Sequence, residues 1–175
     1  AVTDAEGHTI NGKITIEFEE LESEKSGMSS LNNYGGVVTL TTIDEKGKTK
    51  STNYKAKDGV KFCLDESKKC YLGMKANDAF AAKFNEEIHI TDHVNLYKSY
   101  FLTNVYYLKK SDKDKALKII TSTMLKSDTS EKMFEKIFDY LNDCLSLKSK
   151  INTPEIDLKT EAGLKTIIAA YNNCK

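Results

Sequence analysis

Hydrophobic and polar residues alternate with a period of two through the first half of the chain. Over residues 12–20, the apolar Ile14, Ile16 and Phe18 alternate with charged or hydroxylated residues, which is the pattern of a strand with one buried face. Turn-forming clusters of Asp, Asn and Gly separate this segment from similar ones. The pattern therefore predicts further strands at 37–43, 49–56, 60–64 and 70–74, and around Ile88 and Ile90.

From residue 93 onward, apolar residues recur at intervals of three and four, which is the period of an amphipathic helix. The first predicted helix follows His93, although its aromatic and β-branched content also suits a strand. Its apolar face carries Val94, Tyr97, Phe101, Val105 and Leu108. Three more helices are predicted at 111–125, 130–145 and 158–171. Asn77 or Asp78 is expected to cap a further short helix that carries Phe80, Ala81 and Phe84.

Strands first and helices second predict an α+β fold. We expect an N-terminal antiparallel β-sheet of about five to six strands, spanning about 9–91, packed against a C-terminal layer of three to four helices at about 93–173. A barrel or barrel-like sheet followed by C-terminal helices is the alternative. The chain has 175 residues with no break in composition and no internal repeat, so a single domain over 1–175 is predicted.

The charged residues exclude one class of partner. Lysine and arginine together number 26, aspartate and glutamate also number 26, and the formal net charge is +0. Every basic residue is a lysine, so the guanidinium fork that reads phosphate or guanine is missing. We therefore expect no nucleic-acid partner. We also expect no membrane span, because no apolar run approaches roughly 20 residues.

Four cysteines suggest two disulfides and an oxidising compartment. Cys63 and Cys70 flank a short polar stretch of a predicted hairpin, and Cys144 on a predicted helix would pair with Cys174. Four reduced thiols in a cytosolic protein are the alternative. The favoured interpretation is a secreted, extracellular protein. Since the first residues have neither a basic flank nor an apolar stretch, we expect its signal peptide to have been removed.

Residues with potential for chemistry are few. His89 and His93 are four residues apart, but the alternation of neighbouring isoleucines points them in different directions, so no metal site is expected. Glu17 and Glu19 lie on the polar side of their predicted strand. We find no nucleophile elbow, phosphate-binding glycine loop or Cys–His pair. We therefore predict no catalytic residues, no cofactor and no enzymatic activity. A small hydrolase is the third hypothesis.

Aromatic residues between positions 97 and 107 suggest that the protein binds a small ligand. Placed on a helix, these residues would offer a hydroxyl-bearing apolar surface to a small apolar ligand such as a lipid. The residues that we expect to contact such a ligand are Tyr97, Tyr100, Phe101, Tyr106 and Tyr107. The same residues could instead form ordinary core. The second functional hypothesis is an extracellular protein–protein interaction module, such as a secreted effector or surface antigen, that uses this surface or the charged hairpins. The oligomeric state stays open.

Overall fold

The structure, a computed structural model, describes residues 1–16, 35–77, 79–99, 105–121, 129–151 and 156–174. It is mostly β, with 41% strand and 21% helix. The chain divides into two compact units, Ala1–Glu86 and Glu87–Lys175, each with its own hydrophobic core. That the whole chain is one domain stays a prediction.

The described residues of the first unit form antiparallel strands and a short 3₁₀ helix, Ala56–Asp58. Its strands are β1 (Val2–Thr3), β2 (Thr9–Ile10), β3 (Lys13–Ile16), β4 (Val37–Ile43), β5 (Thr49–Lys55), β6 (Lys61–Cys63) and β7 (Cys70–Ala76). Strand β8 (Lys83–His89) begins in this unit and ends in the second. The strand orders are β2-β1-β6-β7-β8 and, in a separate sheet, β3-β4-β5.

Alternation along β4 explains how the first unit forms its core. Val38 and Leu40 are buried, whereas Thr39 and Thr41 on the opposite face of the strand are only partly buried. Phe62 stacks on Tyr71 with ring centroids 4.9 Å apart and meets Phe84 edge to face at 5.1 Å. The core comprises Val2, Val38, Leu40, Ala56, Val60, Phe62, Tyr71 and Phe84. Close packing also requires a glycine at residue 73, because a Cβ there would overlap the backbone of the 3₁₀ helix.

In the second unit, the residues that the structure describes form an antiparallel meander and three short helices. After β8 come β9 (Val94–Ser99), β10 (Val105–Lys110), β11 (Lys115–Ile120), α1 (Ser130–Tyr140), α2 (Leu147–Ile151) and α3 (Glu161–Asn172). The strands are ordered β8-β9-β10-β11. Thr129 caps α1 by accepting a bond from the amide of Lys132, and Thr160 caps α3 in the same way. The apolar faces of these helices supply Met133, Ile137, Leu164, Ile167 and Ile168 to the core.

The predicted fold class is wrong. The chain is mostly β, and within the described ranges its three α-helices are short and do not form a layer of three to four helices on one sheet. Strands β9, β10 and β11 replace two of the predicted helices, and Phe84 lies in β8 instead of a short helix. The alternative prediction, a barrel-like sheet followed by C-terminal helices, agrees better with the observed proportions of strand and helix.

Burial on both faces of the strands explains the error. Leu96 and Tyr97 are adjacent and both buried, and so are Val105 and Tyr106. A strand covered on both faces loses its strict alternation, and its apolar spacing then resembles that of a helix.

Other local predictions are confirmed. Strand β4 has the predicted bounds, β5, β6 and β7 lie where hairpins were expected, and α1 and α3 occupy the last two predicted helices. Of the strand predicted at 12–20, the described part is Lys13–Ile16. Phe18, Glu17 and Glu19 lie outside the described residues.

Candidate functional site

The outer edge of the β3-β4-β5 sheet is an exposed strand. β5 is hydrogen-bonded to β4 on one side, and within the part of the chain that the structure describes no strand pairs with its other side. Residues 49–53 are exposed without interruption, so both faces of the strand are accessible. Such an edge presents a row of backbone donors and acceptors to any extended segment that approaches it.

Two backbone hydrogen bonds establish which groups of β5 face outward. The amide of Asp44 donates to the carbonyl of Lys48 at 2.9 Å, and the amide of Ala56 donates to the carbonyl of Gly36 at 2.8 Å. Bonded pairs in an antiparallel ladder recur every second residue, so the even-numbered residues of β5 bond to β4. The residues that direct both N–H and C=O away from β4 are therefore Thr49, Ser51, Asn53 and Lys55.

Side-chain hydrogen bonds fall on the same outward-directed residues. Thr39 Oγ1 donates to Asn53 Oδ1 at 2.8 Å, and the hydroxyl oxygens of Thr41 and Ser51 are 3.1 Å apart. Side chains approach most closely at ladder pairs that exchange no backbone bonds, which agrees with this register. These bonds hold β5 against β4 and leave its outer backbone groups accessible.

The edge is also positively charged. Residues 48–57 include four lysines and no acidic residue. All four lysines are exposed: Lys48, Lys50, Lys55 and Lys57. The sequence predicted a strand at 49–56, but it gave no sign that this strand lies at an edge, because neighbours in a sheet depend on tertiary contacts.

A groove beside the Cys63–Cys70 hairpin is a second candidate in the first unit. Its volume is about 420 Å³, within the range of small-ligand sites. The lining combines apolar Ile14 and Leu64 with charged Lys13, Asp65 and Glu66. Since lipid sites are lined mainly by apolar side chains, this mixed lining suits an amphipathic ligand better.

Both predicted disulfides are present. Cys63 faces Cys70 across the β6–β7 ladder, and Cys144 is bonded to Cys174. Two such bridges are compatible with a disulfide-stabilised extracellular protein. Over the described residues, no helix combines the length and apolar character that crossing a bilayer requires.

The tyrosines predicted to bind a ligand lie on strands. Tyr97 is on β9 and opposite Tyr107 of β10, and Tyr106 belongs to the core of the second unit. Tyr97 is only 2% exposed; burial, with a smaller contribution from the charge of Glu87, raises its pKa to about 12. Tyr100 and Phe101 lie outside the described residues. A ligand pocket at this segment stays a prediction.

A buried ion pair in the second unit has the chemistry of a structural contact. The Lys110 ammonium lies 3.0 Å from Asp143 Oδ2, and the side chain is 6% exposed. Burial disfavours the charged form of Lys110, but hydrogen bonds with Asp143 and Tyr171 outweigh this effect and raise the pKa of the lysine. A lysine held in its protonated form is not a nucleophile or a general base.

The two histidines that are four residues apart in the sequence lie on either side of the connection between β8 and β9. His89 ends β8, and His93 is an exposed residue just before β9. Among the described residues, three possible metal-ligating side chains instead meet at the exposed β1–β2 turn, where their ligand atoms lie within 4.8 Å of one another: Asp4, Glu6 and His8. The Asp-x-Glu-x-His spacing is visible in the sequence, but the turn that gathers these side chains is not. Asp4 also accepts a bond from the amide of His8, which gives it a role in the turn.

Comparisons of the chain with family models, curated proteins and solved structures found no match.

Proposed function

We propose that this chain is an extracellular, disulfide-stabilised binding protein that engages a protein partner by adding a strand of that partner to β5. The supporting observation is the row of outward-directed backbone groups on a seven-residue strand held firmly against β4. In strand addition, main-chain hydrogen bonds supply affinity and alternate side chains supply specificity. No catalytic step is part of this proposal.

The shape of the edge favours a protein over a small molecule. Its outward N–H and C=O groups alternate along an extended backbone, and another extended backbone has the complementary spacing. The exposed side chains on both faces leave room for a partner strand to continue the sheet. Backbone pairing of this kind does not require a deep pocket.

Amide hydrogen exchange tests strand addition directly. The probe is a capped peptide of alternating threonine and valine, matched to β5 in length. We expect it to slow exchange at the outward amides of Thr49, Ser51 and Asn53. The amides of Lys50 and Thr52 already bond to β4, so their exchange should change little. Equal slowing at all five amides, or at none of them, would contradict strand addition.

Two substitutions at one residue provide a matched control. Ser51→Pro removes an outward N–H without removing a bond to β4, a position at which edge strands tolerate proline. Ser51→Ala keeps the N–H, and both variants lose the same contact with Thr41. We expect the peptide to bind the alanine variant and not the proline variant. Circular dichroism of both variants checks that the fold is retained.

A second candidate function is binding of a small amphipathic ligand in the groove beside the Cys63–Cys70 hairpin. Its volume of about 420 Å³ is the observation that favours it. Native and denaturing mass spectra of the isolated protein test this candidate. An added small-molecule mass that disappears on denaturation, and is lost in Leu64→Glu but retained in Ser51→Pro, would support it. A native mass equal to that of the bare chain would argue against it.

A further inference from the structure

We infer that the partner strand is acidic, an inference that rests on the proposed strand addition. The edge carries Lys48, Lys50, Lys55 and Lys57, and no acidic residue lies among residues 48–57. All four are exposed, and within the described residues no ion pair neutralises any of them. Lys50 and Lys55 are on β5 itself, and Lys48 and Lys57 lie just beyond its two ends, so an acidic segment paired with this strand would approach uncompensated positive charge.

The lysines flank the pairing surface on both faces. Lys50 shares a face with Thr52 and Tyr54, whose ladder partners are the buried Leu40 and Val38. Because side chains alternate along a strand, Lys55 projects from the opposite face. A partner strand would therefore meet Lys50 near the start of β5 if its acidic residues are on one face, and Lys55 near the end if they are on the other.

The nearest carboxylates in the sequence lie outside β5. Asp44 and Glu45 are in the β4–β5 turn, where Asp44 Oδ1 accepts bonds from the amides of Lys46 and Lys48. Asp58 lies beyond the strand, at the end of the 3₁₀ helix. The charged side chains of β5 itself are those of Lys50 and Lys55.

The same charge argues against a second copy of the chain as the occupant. Pairing two β5 strands would bring Lys50 and Lys55 of both copies into one sheet, and like charges across strands are destabilising. Lysines on exposed edges are a recognised means of discouraging such pairing. The edge repels copies of itself but still offers ordered backbone groups. It should therefore bind an oppositely charged strand in preference to its own copy.

Three capped peptides of equal length test the inference: alternating glutamate and valine, threonine and valine, and lysine and valine. We expect the glutamate peptide to bind several-fold tighter than the lysine peptide, since an opposite-charge pair at Lys50 or Lys55 replaces a like-charge pair. Raising the salt from about 0.1 M to about 1 M shortens the screening length from about 10 Å to about 3 Å and should remove most of the difference. Calorimetry measures the Kd values.

Charge reversal on the edge provides the matched variant. Lys50→Glu/Lys55→Glu is expected to reverse the order of the glutamate and lysine peptides. Lys132→Glu/Lys159→Glu makes the same change in net charge at exposed positions of the second unit and should leave the order unchanged. Circular dichroism verifies that both double variants fold, and the salt dependence of the unmodified protein tests the inference without any variant.

The outcomes separate the two proposals. A preference for the glutamate peptide that reverses with the edge variant supports the acidic partner. Equal binding of all three peptides, with protection of the outward amides, overturns the acidic partner and leaves strand addition standing. If no peptide binds and no amide is protected, strand addition itself fails. Self-association that Ser51→Pro abolishes would identify a second copy as the occupant and overturn the acidic partner.

Discussion

The ammonium of Lys110 lies 3.0 Å from Asp143 Oδ2, in a position where the lysine side chain is almost fully buried. The hydroxyl of Tyr171 lies within 3.0 Å of both carboxylate oxygens of the same aspartate. These contacts connect the end of β10, the segment after α1, and α3. Together with the bridge from Cys144 to Cys174, they hold the C-terminal helix of the second unit in place.

Asp143→Ala is expected to destabilise the protein by about 2 to 4 kcal/mol, because the buried Lys110 ammonium loses its nearest carboxylate partner. Asp112 provides the control: it lies 3.5 Å from the same ammonium, but its side chain is 65% exposed. Asp112→Ala should therefore reduce the free energy of unfolding by less than about 1 kcal/mol. Urea denaturation measures both values. Equal losses of unfolding free energy in the two variants would show that the Asp143 contact stabilises the protein no more than the exposed Asp112 contact does.

Removing both charges should be less harmful than removing one. Lys110→Met/Asp143→Ala leaves no buried charge without a partner, so we expect it to be more stable than Asp143→Ala alone. The same urea titrations supply the comparison. A double variant that is less stable than the single variant would contradict this explanation.

The two disulfides are expected to differ in their contributions. Cys144 and Cys174 are separated by 30 residues, whereas Cys63 and Cys70 are separated by 7. Loss of chain entropy in the unfolded state predicts about 3.7 kcal/mol for the longer loop and about 2.5 kcal/mol for the shorter one. Paired cysteine-to-alanine variants, unfolded in urea, measure both. A larger loss from Cys63→Ala/Cys70→Ala would contradict the entropic ranking.

Tyr97 should make stability fall at alkaline pH. Burial raises its pKa to about 12 in the folded protein, against 10.0 for an unperturbed tyrosine. The folded state therefore holds a proton that the unfolded state releases, and its stabilisation is complete below about pH 10 and lost as pH rises through about 12. A shift of this size corresponds to about 2 to 3 kcal/mol. Tyr97→Phe should have a flatter stability profile between those pH values. Identical slopes for the two proteins would disprove the assignment.

Gly73→Ala is expected to destabilise the first unit by more than about 2 kcal/mol, because the new Cβ would overlap the backbone of Ala56. Gly47→Ala is the matched control. Gly47 has a positive φ of 75° but open space around its Cβ position, so only backbone strain of about 1 kcal/mol is expected there. Thermal unfolding of the two variants ranks them. A greater loss at residue 47 would mean that the contact at residue 73 relaxes easily.

Local sequence patterns correctly predicted the elements whose formation depends on neighbouring residues. The hairpin that aligns Cys63 with Cys70 follows from a polar turn between apolar strands, and α1 follows from an apolar stripe behind the capping Thr129. The same patterns failed for β9 and β10. There Leu96 and Tyr97 are buried on opposite faces, so the residues of each strand no longer report a single buried side.

The sequence by itself determined the cysteine pairing, strands β3 to β7, the two longer helices and the absence of arginine. Only the tertiary structure decided that β5 lies at an edge, that Lys110 meets Asp143, and that Val94–Ser99, Val105–Lys110 and Lys115–Ile120 are strands. The reason is physical. Periodicity and turn chemistry act over a few neighbouring residues, whereas burial of a second face, exposure of an edge and pairing of distant charges depend on what the rest of the chain places beside them.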